Sequence, residues 1–299
     1  MSGAPLHADV RFWRDENLPG VEARFSSYSQ KAFRTHTHRY SLVSLVEAGS
    51  TRFSLDGALH NACAGQIVII EAGRPHACNP APGAGITYRL LALDTGWLTG
   101  AFRDAGQGEA PRFASPVLDD PELFAAWREL HEAFVQSAPT SEKLALLRAC
   151  LRGLVDRHAA ATARGSFNPR PLNPAVDRVR QHLAASAGTW VPLDELARLA
   201  GLSRHHFLRV FKAATGLPPH AYQMQQAVEH AKALLAEGTP ISQAALDAGF
   251  ADQSHFSRCF REFTGATPRQ YLASRSDAAR PGTARPSPTC QEDQPPRRA

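Results

Sequence analysis

The chain has 299 residues, more than one average domain needs, so we expect at least two domains. Its net charge of +5 permits a polyanionic partner without establishing one. Five cysteines, odd in number and never spaced as Cys-x-x-Cys, argue against a disulfide framework and a structural zinc module. No apolar run approaches the roughly 20 residues that span a bilayer, and the N-terminus lacks a signal-peptide pattern. We therefore expect a cytoplasmic protein with no membrane partner.

The first region, residues 11–97, has the pattern of a β-rich domain. Short apolar or alternating runs predict strands at residues 41–46, 51–55, 66–70 and 87–93. Asp56-Gly57 is a hairpin turn signal between two of these runs. Short strands at turn spacing favour a sandwich or a barrel.

Residues 121–161 switch to helical spacing, with Leu144, Leu147, Leu151 and Leu154 recurring along one face. Such a stripe has to be buried. Two interpretations stay open: the leucines pack against their own domain, or they form a dimer seam of the coiled-coil type. Residues 164–173 are predicted to be a linker. The end of the chain, 276–299, is rich in proline, arginine and small residues and is predicted to be a disordered tail.

The strongest signal is an internal repeat in the last third of the chain. Ala200-Gly201-Leu202 recurs as Ala248-Gly249-Phe250, and matches that start at His206-Phe207 recur from His255-Phe256 onward. In each copy a short helix ends at a glycine, which suits a tight turn between helices. Ser203 or Asp252 then stands where it can cap the next helix. The repeat predicts two helix-turn-helix units.

The second helix of each unit has an apolar face and a polar, basic face. The apolar positions are Phe207, Val210, Phe211 and Ala214 in the first copy and Phe256, Cys259, Phe260 and Phe263 in the second. On the opposite face, the first copy has His205, Arg209 and Lys212, and the second has Ser254, Arg258 and Arg261. Duplicated cations there fit phosphate neutralisation and base reading. An ordinary solvated surface is the alternative.

The stretch from Gly249 to Tyr271 reads GFADQSHFSRCFREFTGATPRQY, and with the rest of 191–272 it resembles the AraC/XylS family of transcription regulators. The resemblance implies two helix-turn-helix subdomains, joined by a long helix over 219–237, that enter major-groove segments about 34 Å apart. It also implies a set of base-reading residues. They are Arg204, His205, Leu208 and Arg209 in the first recognition helix and Gln253, Ser254, Ser257 and Arg258 in the second.

Two histidine-containing pieces, His36-Thr37-His38 and the run GQIVIIEAGRPH that ends at His76, resemble the cupin-like sensor barrel of that family. In cupin enzymes such histidines hold a metal with a nearby carboxylate, but residues 39–43 contain no acid. Three interpretations stay open: the histidines and Tyr40 line an effector pocket, the histidines bind zinc, iron or copper, or they merely end strands. Arg34 and Arg74 are further candidates for anion contacts.

These observations predict an α+β multidomain fold: a cupin-like β-barrel or jelly roll with a helical extension, then an all-α double helix-turn-helix domain over 174–275. We expect a sequence-specific transcription factor, an activator and a homodimer, that binds double-stranded promoter DNA, a small-molecule effector and RNA polymerase. Ligand in the barrel would favour one arrangement of the helix-turn-helix pair. No catalysis, cofactor or metal is assigned. The rival hypotheses are a metal-dependent cupin enzyme fused to a DNA-binding segment and an architectural DNA binder without a ligand.

Overall fold

The computed structural model describes residues 9–29, 33–81, 85–106, 113–159, 173–186 and 188–276. The strands are β1 (Asp9–Arg14), β2 (Val21–Tyr28), β3 (Tyr40–Leu55), β4 (Ala58–Cys63), β5 (Ile67–Ile70), β6 (His76–Pro80), β7 (Ile86–Asp94) and β8 (Val117–Leu118). The helices are α1 (Thr95–Asp104), α2 (Pro121–Val135), α3 (Thr140–His158), α4 (Pro174–Ala185), α5 (Leu193–Ala200), α6 (Arg204–Thr215), α7 (Pro219–Ala236), α8 (Ile241–Asp247), α9 (Gln253–Thr264) and α10 (Pro268–Ser276). Apart from Asn173 and Ser276, the predicted linker and the predicted tail lie outside the described residues.

The strands pair antiparallel in the order β1-β2-β7-β3-β5-β8, and β4 and β6 also pair with β3. β3 organises this region, because its first half pairs with β5 and β7 and its second half with β4 and β6. The sequence predicts two strands here, whereas the structure has one strand that passes through Gly49 at a φ of +76°. A side chain there would overlap the Gly85 carbonyl, so the close approach requires glycine.

The hairpin turn predicted at Asp56-Gly57 is confirmed, since both residues have positive φ between β3 and β4. The helical stretch predicted at 121–161 divides into α2 and α3. The leucine stripe of α3 packs into one core with α2 and the strands, where Leu147, Leu151 and Leu154 are at most 3% exposed and Leu144 is partly buried against the same core. The hypothesis of a coiled-coil seam is therefore wrong, because these side chains already pack inside their own domain.

The C-terminal region contains both predicted helix-turn-helix units, α5–α6 and α8–α9, joined by the predicted long helix α7. Ser203 caps α6 through the amide of His206, and Asp252 caps α9 through the amide of His255 at 2.7 Å. Gly201 ends α5 in the left-handed conformation. No helix among the described residues combines the length and the apolar character that crossing a bilayer requires.

The two units are packed differently. The first has a core of its own, built from α4, α5 and α6 around Phe207 and Phe211. The second shares one continuous core with the inner side of the β-domain, in which Phe256, Phe260 and Tyr271 join residues of β1, β3 and β7. The structure thus places the second helix-turn-helix unit directly against the sheets, and this contact positions the site described next.

Candidate DNA interface and effector cavity

The recognition helices α6 and α9 turn their predicted contact faces to solvent. Exposed among the ten predicted positions are Arg204, His205, Arg209, Lys212, Gln253, Ser254 and Arg258. Leu208, Ser257 and Arg261 are half-buried. Arg204 lies 3.6 Å from Asp194, whereas Arg209, Lys212 and Arg258 form no ion pair with any described residue. These cations are therefore available to a polyanion, and the opposite faces hold the helices in their cores.

A cavity lies inside the β-domain, between the sheets and the second helix-turn-helix unit. Its walls are mainly apolar side chains from the strands, including Leu42, Val68, Ile70 and Leu90. Phe263 of α9 also lines it, so the DNA-binding region supplies part of the wall. A concave, mainly apolar space with a few polar groups has the character of a small-molecule site.

The structure brings His36, His38 and His76 together in this cavity. His36 and His76 form an antiparallel bridge, with backbone N–H···O distances of 3.0 and 2.9 Å. Their rings lie 4.5 Å apart between centroids, and His38 Nε2 is 3.1 Å from His36 Nε2. The interpretation that the histidines only end strands does not account for rings that converge on one point.

All three imidazoles are held neutral. Burial, together with the positive charge of Arg24, lowers the pKa of His36 to about 4. Burial and the neighbouring His36 lower the pKa of His76 to about 3, and burial lowers that of His38 well below its usual value. At neutral pH each ring therefore has one nitrogen with a free lone pair and one N–H.

Comparisons with known proteins agree with both halves of this architecture. An AraC-like ligand binding domain model matches residues 18–151, and a helix-turn-helix domain model matches residues 196–274. The HTH-type transcriptional regulator YbfI of Bacillus subtilis is 29% identical over 79% of this chain and 85% of its own length. The HTH-type transcriptional activator RhaR of Escherichia coli strain K12 is 27% identical over 89% of this chain and 95% of its own. The chain belongs to the AraC-type transcriptional regulators.

The fold of this AraC-type regulator also matches crystal structures of ToxT from Vibrio cholerae. An apo form has a TM-score of 0.56 at 13% identity, covering 91% of this chain and 98% of ToxT. A form with a bound unsaturated fatty acid has a TM-score of 0.53 at 12% identity, covering 91% and 96%. The predicted fold class is thus confirmed, as is the predicted function of a DNA-binding transcriptional regulator with a ligand-binding domain.

Two other residues that the sequence singles out in the AraC-type sensor, Arg74 and Arg34, form ion pairs and do not line the cavity. Arg74 binds the carboxylates of Asp56 and Glu71 at 2.8 and 2.6 Å, so its charge is already neutralised by two acids. Arg34 pairs with Glu262 of α9 at 2.7 Å, outside the cavity. The expectation that these arginines supply anion contacts in a pocket is therefore not supported, because both serve as structural ion pairs.

Sequence reasoning missed the cation that does line the cavity. Arg24 of β2 is 8% exposed, donates to Ser26 Oγ at 2.8 Å and to the Tyr28 hydroxyl, and lies over the Phe12 ring. It forms no ion pair with any described residue. The alternation of side-chain direction along β2 was the only sequence signal, and it does not show that an arginine faces inward until the partner strands are known.

Tyr40 lies at the boundary between the domains. Its ring stacks on His38 at 5.6 Å, and its hydroxyl is 3.0 Å from Lys232 Nζ and 3.3 Å from Glu229 of α7. Burial alone lowers the pKa of Lys232, but the Glu229 carboxylate and Tyr40 outweigh it and raise that pKa. The predicted ligand residue thus connects the histidine cluster to the helix between the two DNA-binding units.

Proposed function

We propose that this regulator activates transcription by coupling a small molecule in the cavity to the placement of the second helix-turn-helix unit. The observation that carries the proposal is that Phe263 lies on the recognition helix α9 and also lines the cavity. A ligand that fills the space beneath Phe263 contacts the sensor and the DNA-binding region at once. The ligand therefore has different contacts when α9 is docked on the β-domain and when α9 is released from it, as any population shift requires.

Polar contacts around the cavity support this coupling. The Tyr28 hydroxyl donates to the Gly265 carbonyl at 3.0 Å, and the amide of Arg34 donates to the Glu262 carbonyl at 3.1 Å. On α7, the Gln225 side chain accepts from the amide of Thr37, which lies between two of the cavity histidines, at 3.0 Å. The segment that carries the histidines thus contacts both α7 and α9, so a shift of either helix changes the shape of the cavity.

The cavity indicates the chemistry of the effector. Its apolar walls favour an apolar body. The buried, positively charged Arg24 favours an anionic or hydrogen-bond-accepting group on that body, since an uncompensated buried cation is costly. We infer a compact molecule with an apolar part and one electron-rich group.

The proposed DNA contacts are the ten recognition-helix residues, with the two helices entering successive major-groove segments on one face of the duplex. Action as an activator accords with the name of RhaR, to which the chain is similar along most of its length. A homodimer, contact with RNA polymerase and the lack of catalytic activity belong to the same proposal. Leu147, Leu151 and Leu154 of α3 do not supply the dimer surface, because they are buried.

The testing experiment is binding of fragmented genomic DNA to the purified full-length protein at near-physiological salt, followed by sequencing of the bound fragments. We expect one enriched site with two short motifs about one helical turn apart. Genes next to that site nominate effectors, whose influence on operator affinity is then measured. Salt-sensitive binding without any enriched motif would favour the architectural DNA binder instead.

Two matched variants test the coupling. Phe263→Leu alters the cavity wall, whereas Phe250→Leu alters a buried phenylalanine of the same unit that does not line the cavity. We expect the ratio of operator affinities with and without effector to shrink in the first variant and to persist in the second. Equal operator affinity with and without every candidate effector would count against ligand control.

A further inference from the structure

The three cavity histidines have the spacing of a metal site. One ring nitrogen from each of His36, His38 and His76 lies within 4.8 Å of the other two. Nitrogens bound to tetrahedral zinc at about 2.0–2.1 Å are roughly 3.4 Å apart, so the set closes on one ion with side-chain shifts of about 1 Å.

Backbone carbonyls fix two of the rings in the orientation that a ligand needs. His36 Nδ1 is 2.6 Å from the Arg34 carbonyl, and His76 Nδ1 is 2.8 Å from the Arg74 carbonyl. A carbonyl oxygen only accepts, so both Nδ1 atoms carry the hydrogen and both Nε2 atoms carry a lone pair. Metal-bound histidines typically donate their second N–H in this way, which sets the tautomer and the ring orientation.

His38 is incompletely satisfied by the protein. His36 Nε2 has a lone pair and no hydrogen, so the 3.1 Å contact requires His38 Nε2 to donate. His38 Nδ1 then becomes an acceptor, yet it is buried and has no hydrogen-bond partner among the described residues. Buried acceptors are nearly always paired. An electron-pair acceptor in the cavity would satisfy this ring together with the two lone pairs that face it.

We propose that His36, His38 and His76 bind one late transition-metal ion, such as Zn²⁺, with a further coordination position open to the cavity beneath Phe263. Imidazole suits zinc, copper, iron and nickel, and three histidines with an open position form an accepted ligand set. The proposal rests on the proposed function only in assigning this cavity to the effector. It makes the effector either the ion itself or a molecule that binds through it.

The charges around the three histidines indicate which kind of ligand would occupy the open coordination position of the metal ion. Arg24, Lys232 and Arg74 are cations that act on the histidines. Lys232 and Arg74 are paired with acids, and none of the described carboxylates lines the cavity. The three neutral nitrogens therefore have to supply the affinity without a carboxylate ligand and against the charge of Arg24. An anion at the open position offsets this repulsion, so a metal and an anionic effector bind cooperatively at this site.

The test uses full-length protein purified without a histidine tag and stripped with a chelator. Calorimetric titration with Zn²⁺ and visible absorption with Co²⁺ report binding without any functional readout. We expect one ion per chain and a Co²⁺ spectrum of low coordination number. We expect His38→Asn to weaken binding by more than the roughly 10- to 100-fold that loss of an outer partner typically causes.

His206→Asn is the matched control, because it removes an exposed imidazole from α6 and is expected to leave the cavity ion in place. His38 is the variant of choice, since the rings of His36 and His76 also donate to backbone carbonyls and the loss of those hydrogen bonds risks misfolding. Circular dichroism verifies that each variant is folded. Absence of stoichiometric binding, or binding that survives His38→Asn, would overturn the proposal.

The proposed metal site and the proposed function can be refuted independently of each other. Stripped protein that binds no metal but still changes its operator affinity with an organic effector overturns the metal site and leaves the proposed function intact. Stoichiometric metal binding that requires His38 supports the metal site even where operator affinity does not respond, and that result counts against the coupling instead.

Discussion

Arg258 lies on the exposed face of α9, and no described residue forms an ion pair with its guanidinium. We predict that Arg258→Ala weakens operator binding by about 1 to 3 kcal/mol and relaxes the sequence preference at one base pair, as loss of a bidentate base contact does. Competition binding with operator variants measures both effects. Unchanged operator affinity would show that another face of α9 meets the DNA.

Lys212 of α6 is a comparable single residue, because this cation lies in the last turn of a recognition helix and also forms no ion pair with any described residue. Lys212→Ala is expected to weaken all DNA sequences alike and to reduce the salt slope of binding by about 1, as expected for a phosphate contact. Affinities at several salt concentrations separate this behaviour from base reading. A sequence-dependent loss would assign Lys212 to the base-reading set.

Among single residues, sequence periodicity predicted the exposed cations but not every residue of the cavity. The outer-face positions, such as Arg209 and Arg258, follow from helical spacing within one element, which is local information, whereas the other base-reading positions were implied by the family resemblance. Arg24 and Phe263 line the cavity only because β2 and α9 meet across it, far apart in sequence. Phe263 was predicted as an apolar residue of its own unit, and the structure shows that it also faces the sensor.

At the scale of elements, Gly265 ends α9 in the left-handed conformation and lies against the sensor. A methyl group there would overlap Tyr28 and Phe33. We predict that Gly265→Ala disrupts the docking of α9 and α10 on the β-domain. Hydrogen exchange is expected to rise in those two helices, because their contact with the β-domain is lost.

Gly201 is the matched control, because it ends α5 at nearly the same φ, +69° against +72°, and open space surrounds the position that a methyl group would take. Gly201→Ala is expected to cost only the left-handed strain of about 1–2 kcal/mol and to leave α9 and α10 protected. Equal exchange in the two variants would show that strain, and not the interdomain contact, governs the result.

Asp120 joins the start of α2 to the end of α3. It accepts from the Leu123 amide at 2.9 Å and pairs with His158 Nε2 at 2.7 Å. Burial alone raises the pKa of Asp120, but these partners and Arg157 outweigh it and lower that pKa below its usual value. A carboxyl whose pKa is lower in the folded state stabilises the fold above the unfolded-state pKa of about 3.9 and loses this contribution as the pH falls.

We predict that Asp120→Ala lowers the free energy of unfolding by about 1–2 kcal/mol at pH 7, through loss of the cap and of the ion pair. The difference from the natural protein should begin to shrink as the pH falls below about 4, where the unfolded state binds the proton first, and should vanish only below the lower pKa of the folded state. Urea denaturation at pH 7 and at acidic pH measures it. Asp120→Asn keeps a capping oxygen without charge, so a full loss in that variant would assign the effect to the ion pair alone.

At the scale of the whole molecule, the ion pair of Arg34 with Glu262 connects the sensor to α9. We predict that Arg34→Glu, which places two carboxylates against each other, raises hydrogen exchange in α9. The double variant Arg34→Glu with Glu262→Arg should restore protection, since it rebuilds the attraction with opposite polarity. An exposed pair contributes about 1 kcal/mol or less, so exchange is a better measure than global unfolding.

Arg11→Glu controls for charge reversal as such, because Arg11 pairs with Asp9 within β1 and is similarly exposed, at 65% against 61% for Arg34. It is expected to leave α9 unchanged. If the double variant exchanges as fast as Arg34→Glu alone, the pair does not hold the interface, and the apolar contacts around Phe263 and Tyr271 carry the docking instead.

The sequence by itself determined the helices, caps, turns and repeat of the C-terminal region and the outward faces of α6 and α9. These features depend on spacing, on capping side chains and on glycine within a few residues of chain, and each is a local physical preference. It also placed His36, His38 and His76 in one candidate site, although by resemblance and not by periodicity.

Only the tertiary structure decided how the halves meet. Burial of the α3 leucines, the inward position of Arg24 and the docking of α9 over the histidines all depend on contacts between residues distant in the chain. An apolar face shows in sequence that it must be covered, but it does not specify what covers it, because hydrophobic burial is non-directional. The sequence therefore shows the second recognition helix only as an amphipathic helix, and its contact with the sensor becomes visible only in the structure.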